Sequence, residues 1–292
     1  MTLQDWKNKG TYFTYKSHQI FYVEEGEGET LLLVHGFPTA SWDWAKMWNT
    51  LTQKYRVLTL DMIGFGFSAK PRKYNYNIFD QADLIEALLR QRQIKRVQII
   101  AHDYGDTVTQ ELLARFHERK QSQEEGTTIS SVCFLNGGLF PETHRPLLVQ
   151  KLLMSPLGHT VAQFFNRKKL KKNFQKIFGP DTQPSEQELD DFWTLISNNG
   201  GKHVFHLLIR YMQERKENRS RWVGAIQNMD VPIRLIDGLH DPISGANMVK
   251  RYKEIIPNPD VVELEGIGHY PLTEAPELVL KYYLGWDRNL LQ

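Results

Sequence analysis

Apolar residues along this chain fall into short runs, separated by stretches with helical periodicity. "HQIFYVEEG" and "ETLLLVHG" read as two early strands with "GEGE" as the turn, and "YRVLTLDMIG", "VQIIAHDYG" and "ISSVCFLNGG" read as further strands. "QADLIEALLRQRQ" and "TQELLARFHER" repeat apolar positions with the period of a helix that buries one face. Later, "PIRLIDGLHD" and "DVVELEGIGH" read as two more strands, with "GANMVKRYKEII" helical between them. Alternating strand and helix predicts an α/β fold, a mostly parallel twisted sheet with helices on both faces.

The alternation stops between Leu139 and about Trp222. Helical stretches such as "RPLLVQKLL" and "KHVFHLLIRYMQER" dominate there, punctuated by Pro156, Gly158, Gly179 and Pro180. This predicts a core of residues 1–138 and 223–292 with a helical cap, 139–222, inserted between two strands. A helical layer over the carboxyl ends of the strands would roof the crevice where α/β proteins bind ligands.

Composition adds little. The 292 residues are 41% apolar and 24% charged, with a formal net charge of +2, too small to argue for nucleic acid or a membrane surface. The basic run "RKKLKK" at 167–172 reads first as a solvated helix face, with an anionic substrate or surface as the alternative. No apolar run approaches the roughly 18 residues of a membrane span. The N-terminus lacks the apolar segment of a signal peptide. The single cysteine, Cys133, permits no intrachain disulfide and excludes a Cys-rich metal site. The expectation is a cytoplasmic enzyme, monomer or homodimer, acting on a small molecule with water and using no cofactor or metal.

Candidate chemistry sits in four segments. "AHDYGD" follows a strand and opens a helix, and so lifts Asp103 to the apex of a sharp turn between the small residues Ala101 and Gly105. "HGFP" ends an early strand. Its Gly36 lets the backbone turn, so the Phe37 N–H, together with that of Tyr104, would form an oxyanion hole. Asp241 and His269 each lie just past a late strand, with room between them for a helix and a return strand. A histidine base needs a carboxylate to fix its tautomer and stabilise the imidazolium. Asp106, one turn beyond Asp103, reads as a surface or helix-dipole residue. "GFGFSA" at 64–69 matches a weak dinucleotide pattern, but Pro71 follows at once, so a glycine-rich loop with a structural Asp61 is the better reading.

The order nucleophile, acid, histidine resembles that of the α/β-hydrolase superfamily. The motifs resemble its epoxide hydrolase and haloalkane dehalogenase branch, and "HGFPTASWDW", "LDMIGFGFSAKP", "HDYGD" and "NGGLFPETHRPLL" look like the mesoderm-specific transcript group within it. The resemblance implies an α/β-hydrolase fold in which Asp103, already ionised at neutral pH, attacks a saturated carbon to give an alkyl-enzyme ester. His269 then activates the water that cleaves it. Dehalogenases of the branch hold halide with side-chain N–H donors where this chain has Phe37 and Tyr104, although Trp42 or Asn136 could substitute. Epoxide hydrolases use two cap tyrosines to protonate the opening ring. Here Tyr211 occupies the second position, and His203, His206 or Tyr104 would have to replace the other. A lipophilic epoxide is the leading substrate class. A haloalkane, an ester or lactone, and a non-catalytic interaction role remain alternatives.

Overall fold

The computed structural model describes residues 1–228 and 230–290. Eight strands form one sheet: β1 (Thr11–Tyr15), β2 (His18–Glu25), β3 (Thr30–Val34), β4 (Arg56–Leu60), β5 (Arg96–His102), β6 (Thr128–Leu135), β7 (Ile233–Gly238) and β8 (Asp260–Leu264). Their order across the sheet is β1-β2-β4-β3-β5-β6-β7-β8. β1, β2 and β4 pair antiparallel, and every pairing from β4 through β8 is parallel. The chain therefore carries an α/β-hydrolase fold.

Two features differ from the sequence reading. β1, "TYFTY", was not anticipated, because five residues of mixed polarity directly after the helix Leu3–Lys9 carry little strand signal. β2 and β3 are joined by "GEGE" but do not pair with each other, since β4 lies between them. The central strands are mostly apolar because both faces are covered: all of β3, and all of β5 after Arg96, are buried. Cys133 sits in β6 as a fully buried small side chain, as expected.

Between β6 and β7 no strand occurs among the described residues. The segment contains helices Leu148–Leu153, Gly158–Gln163, Arg167–Ile177, Glu186–Ser197, Phe205–Leu208, Tyr211–Glu217 and Arg219–Gln227. "KHVFHLLIRYMQER" is several short pieces rather than one helix, with a left-handed kink at Asn199 and Gly200 before it. The expected boundary at 222/223 falls inside helix Arg219–Gln227. There Trp222 Nε1 donates to Glu111 Oε2 at 2.8 Å, tying that helix to Tyr104–Ser122 beside the sheet. Among the described residues, no helix is long and apolar enough to cross a membrane.

Candidate active site

Asp103 is forced into its position. It joins β5 directly to the buried helix Tyr104–Ser122 with φ +48° and ψ −104°, a conformation that L-residues rarely adopt. Such a turn persists only when its surroundings hold it. Here Gly105 lies so close to the end of β3 that an added Cβ would be 2.4 Å from the Val34 carbonyl oxygen. A Cβ on Gly36 would be 2.9 Å from that of Asp103. Both glycines are therefore required by close approach.

The close approach sets up the carboxylate. The Phe37 N–H donates to Asp103 Oδ2 at 3.0 Å, while Oδ1 lies 3.9 Å from His269 Nε2, beyond hydrogen-bond reach. Tyr104 occupies the first helical position, where an N–H has no carbonyl one turn earlier to bond. On the far side of the imidazole, His269 Nδ1 is 2.7 Å from Asp241 Oδ2. The sequence-predicted residues Asp103, Asp241, His269 and Phe37 thus converge.

Burial opposes the charge on Asp241. The His269 imidazole, the Ser244 hydroxyl and the Ile243 N–H together outweigh that cost and hold its carboxyl below the ordinary value. Burial likewise disfavours the His269 imidazolium, but the Asp241 carboxylate, and behind it Asp103 and Glu274, push its pKa up to about 9.

A small cavity of about 60 Å³ opens onto Asp103 and His269. Its roof comes from the helical segment between β6 and β7, including Leu147, Val149, Leu153, Phe165, Phe174 and Phe205. Gln150 and Asn173 are its polar members beside Asp103 and His269. Sequence reading missed both, since each looks like the polar face of a short amphipathic helix.

Other expected contributors lie elsewhere. Trp42 packs edge-on against Trp6 at 6.0 Å and does not line the cavity. Asn136 is fully buried behind the acid loop rather than facing substrate. It adopts φ +39°, its amide accepts from the Gly238 N–H and donates to Gly238 O, and it lies 3.3 Å from Asp241 Oδ2. His206 packs against His159 at 5.2 Å and is also outside the lining. Asp106 is fully buried rather than at the surface, and burial followed by the charge on Asp103 pushes its carboxyl well above the ordinary range. Tyr211, expected to face substrate, is buried outside the cavity lining, with its ring 4.8 Å from Tyr104 and 6.3 Å from Phe37, and its hydroxyl forms no hydrogen bond of good geometry.

Two further residues had no sequence signal. Arg215, almost wholly buried, donates from Nε to Thr107 Oγ1 at 2.6 Å and from Nη2 to the Asp103 carbonyl at 3.2 Å, with its guanidinium 4.5 Å above the Tyr211 ring. Glu274 accepts the N–H groups of Gly268 and Tyr270 at 2.9 and 2.8 Å, bracketing His269, and also takes the Gly179 N–H at 2.8 Å.

Among the described residues, no group of three or more His, Cys, Asp or Glu could hold a metal ion. The "GFGFSA" loop closes on Asp61, which accepts from Ser41 and Phe67, and no helix opens until Ile78. This fits a structural loop and leaves no phosphate cradle.

Comparison with known proteins agrees with this fold. The family described as alpha/beta hydrolase fold matches residues 29–276. The mesoderm-specific transcript homolog protein of Bos taurus is 45% identical over 97% of this chain and 87% of its own length. The solved haloalkane dehalogenase DbeA from Bradyrhizobium elkani USDA94 superposes with a TM-score of 0.81 at 19% identity, covering 96% of this chain and 98% of its own. A solved epoxide hydrolase, CorEH, superposes with a TM-score of 0.78 at 18% identity, covering 96% and 99%. The chain therefore belongs to the alpha/beta hydrolase fold family and is similar over nearly its whole length to the mesoderm-specific transcript proteins.

Proposed function

We propose that this chain is a hydrolase that opens epoxides of lipophilic small molecules through an ester on Asp103, with residues 139–222 acting as the cap over the site. The observation that carries this reading is the asymmetry of one carboxylate. Oδ2 is held by the Phe37 N–H, while Oδ1 is turned toward His269, with the cavity adjoining both residues.

Oδ1 attacks a ring carbon, the carbon–oxygen bond of the epoxide breaks, and the new alkoxide takes a proton from the Tyr211 hydroxyl. Burial and the Asp103 charge raise the Tyr211 pKa, while Arg215 works against them. As Asp103 becomes a neutral ester, one raising cause vanishes and Arg215 remains, so Tyr211 becomes a better acid as the ring opens. Neutral His269 then removes a proton from water, and the hydroxide adds to the Asp103 carboxyl carbon. The developing oxyanion on Oδ2 already faces the Phe37 donor. Collapse frees the diol as the imidazolium gives its proton to the leaving alkoxide, and the proton left on the Asp103 carboxyl passes to the Tyr211 phenolate, which restores the carboxylate and the phenol.

A haloalkane is the second reading. It is favoured by the amides of Gln150 and Asn173 in the cavity, which can donate N–H groups to a departing halide. His269→Gln, incubated with a long-chain terminal epoxide and with an alkyl bromide of matched length, tests both. The expected result is a trapped adduct on Asp103 by intact-mass and peptide mass spectrometry, larger with the epoxide. No adduct with either, and no turnover by the unsubstituted protein, would overturn the hydrolase reading.

A further inference from the structure

Eight large apolar side chains are exposed among the described residues, and five of them, Leu148, Leu152, Met154, Leu157 and Phe164, fall between 148 and 164. Leu148, Leu157 and Phe164 are 72%, 67% and 66% exposed. Scattered exposed hydrophobes are ordinary, but a cluster marks an interaction surface. Helix Leu148–Leu153 presents two different sides. Gln150 and Leu153, with Leu147 just before the helix, line the cavity, while Leu148, Lys151 and Leu152, at helical spacing, face outward. The same helix therefore contributes both to the exposed apolar residues and to the cavity lining.

The segment that carries the patch is basic. Residues 143–180 contain eight Lys or Arg and no Asp or Glu, although the whole chain has a net charge of only +2. Arg167 and Lys171 pair with Glu186 and Asp190 of the adjacent helix. Lys151, Lys168, Lys169, Lys172 and Lys176 form no ion pair among the described residues. Lys169, Lys172 and Lys176 share one face of helix Arg167–Ile177 by their spacing. Lys169 Nζ donates to the Phe164 carbonyl at 2.8 Å and sits 6.0 Å from the Phe164 ring centroid, which places this cationic stripe at the edge of the patch. Lys202 Nζ reaches the Gln163 carbonyl at 3.1 Å from another side.

This chemistry selects one occupant. A second copy meeting this face across a twofold axis would set cations against cations. A nucleic acid would satisfy the lysines and leave the leucines and Phe164 in water. An anionic bilayer satisfies both, with apolar side chains at the headgroup–acyl boundary and lysines on the headgroups. We propose that the cap face formed by residues 148–176 docks peripherally on anionic phospholipid membranes, with Leu157 and Phe164 inserted and Lys169, Lys172 and Lys176 on the lipid phosphates. A lipophilic substrate would then pass from the bilayer past helix Leu148–Leu153 into the cavity. That route rests on the proposed function; the docking itself does not.

Vesicle flotation of the full chain tests the docking without any substrate. The protein floats with phosphatidylcholine vesicles that contain phosphatidylserine, not with phosphatidylcholine alone, and salt releases it. Each cation removed from the stripe weakens binding roughly fivefold, and the double variant Leu157→Ser, Phe164→Ser loses flotation at unchanged net charge. Because both side chains are mostly solvent-exposed, this variant keeps the unsubstituted protein's melting temperature. No flotation with phosphatidylserine vesicles overturns the proposal, as does equal flotation of every variant. A dimer in sedimentation that Leu157→Ser, Phe164→Ser converts to monomer, without vesicle binding, also overturns it and assigns the patch to self-association. Adduct formation without flotation would remove the docking and leave the chemistry standing, and flotation without adduct would do the reverse.

Discussion

Arg215 Nη2 stands 3.2 Å from the main-chain oxygen of Asp103 and 3.9 Å from Oδ1 of the same residue. A buried guanidinium thus steadies both the strained turn and the charge it carries. Arg215→Met keeps the volume and removes the charge. We expect adduct formation on Asp103 to slow by about 10- to 100-fold, the equivalent of ~1.5–3 kcal/mol for a hydrogen bond to a charged group. Arg215→Lys should recover part of the rate, since an ammonium restores the charge but not the fork. A single-turnover rate unchanged in Arg215→Met would show that the guanidinium serves packing alone.

Tyr211 carries a buried hydroxyl with no well-made hydrogen bond, an arrangement that costs stability. Tyr211→Phe should therefore melt at the same temperature or higher while opening epoxides far more slowly. Alkyl bromide turnover, which needs no ring acid, should change little. Equal losses on both substrates would remove the hydroxyl from the chemistry.

The fold and the convergence of the candidate residues were legible because each is written locally. Asp103, Asp241 and His269 each follow an apolar strand run, and Gly36, Gly105 and Gly268 mark where the backbone must turn or approach closely. The supporting residues are not written locally. Arg215 sits in "YMQERKE", where the pattern suggests a solvated face, and it meets Asp103 only through the packing of the cap. Asn136 looked like a free amide beside a ligand site, but its left-handed backbone turns the amide onto Gly238 and Asp241. The whole-chain charge averages the basic stretch 143–180 with acids elsewhere, so the local imbalance does not show in the net value of +2. Nothing in "TYFTY" distinguished an edge strand from a turn, since its pairing with β2 is a tertiary fact.

Glu274 holds His269 through the N–H groups on both sides of it and reaches across to Gly179. Glu274→Ala leaves these donors without their acceptor and frees the loop that carries the base. Because Glu274 touches neither Asp103 nor the cavity, the alkylation step should be nearly unchanged. Ester hydrolysis should slow, and the covalent intermediate should accumulate during turnover. The fold should lose ~1–3 kcal/mol in denaturant titration. An equal slowing of both steps would mean that the whole site had shifted, not the base alone.

The charge state of His269 ties activity and stability to pH in opposite ways. Its folded pKa is raised from 6.5 to about 9, so the native state holds the proton more tightly than the unfolded chain does. The stabilisation it contributes is complete below pH 6.5 and is lost as the pH rises through about 9. His269→Gln should therefore destabilise the protein most at the acid end of that window, and the difference from the unsubstituted protein should shrink toward the alkaline end. Comparing the two proteins isolates this group from Lys70, whose burial lowers its pKa to about 8 and gives the opposite slope. In the mechanism we propose, cleavage of the ester needs the neutral imidazole. Once Asp103 is esterified, one of the anions that held the proton is gone, so the working pKa in the intermediate falls below the resting one. Hydrolysis of the ester should slow by about tenfold per unit on the acid side of that lowered value, while formation of the ester does not. A rapid-quench series across the window, scored by intact mass, would show adduct building up as the pH drops. Decay of the adduct at a rate independent of pH would mean that His269 is not the base.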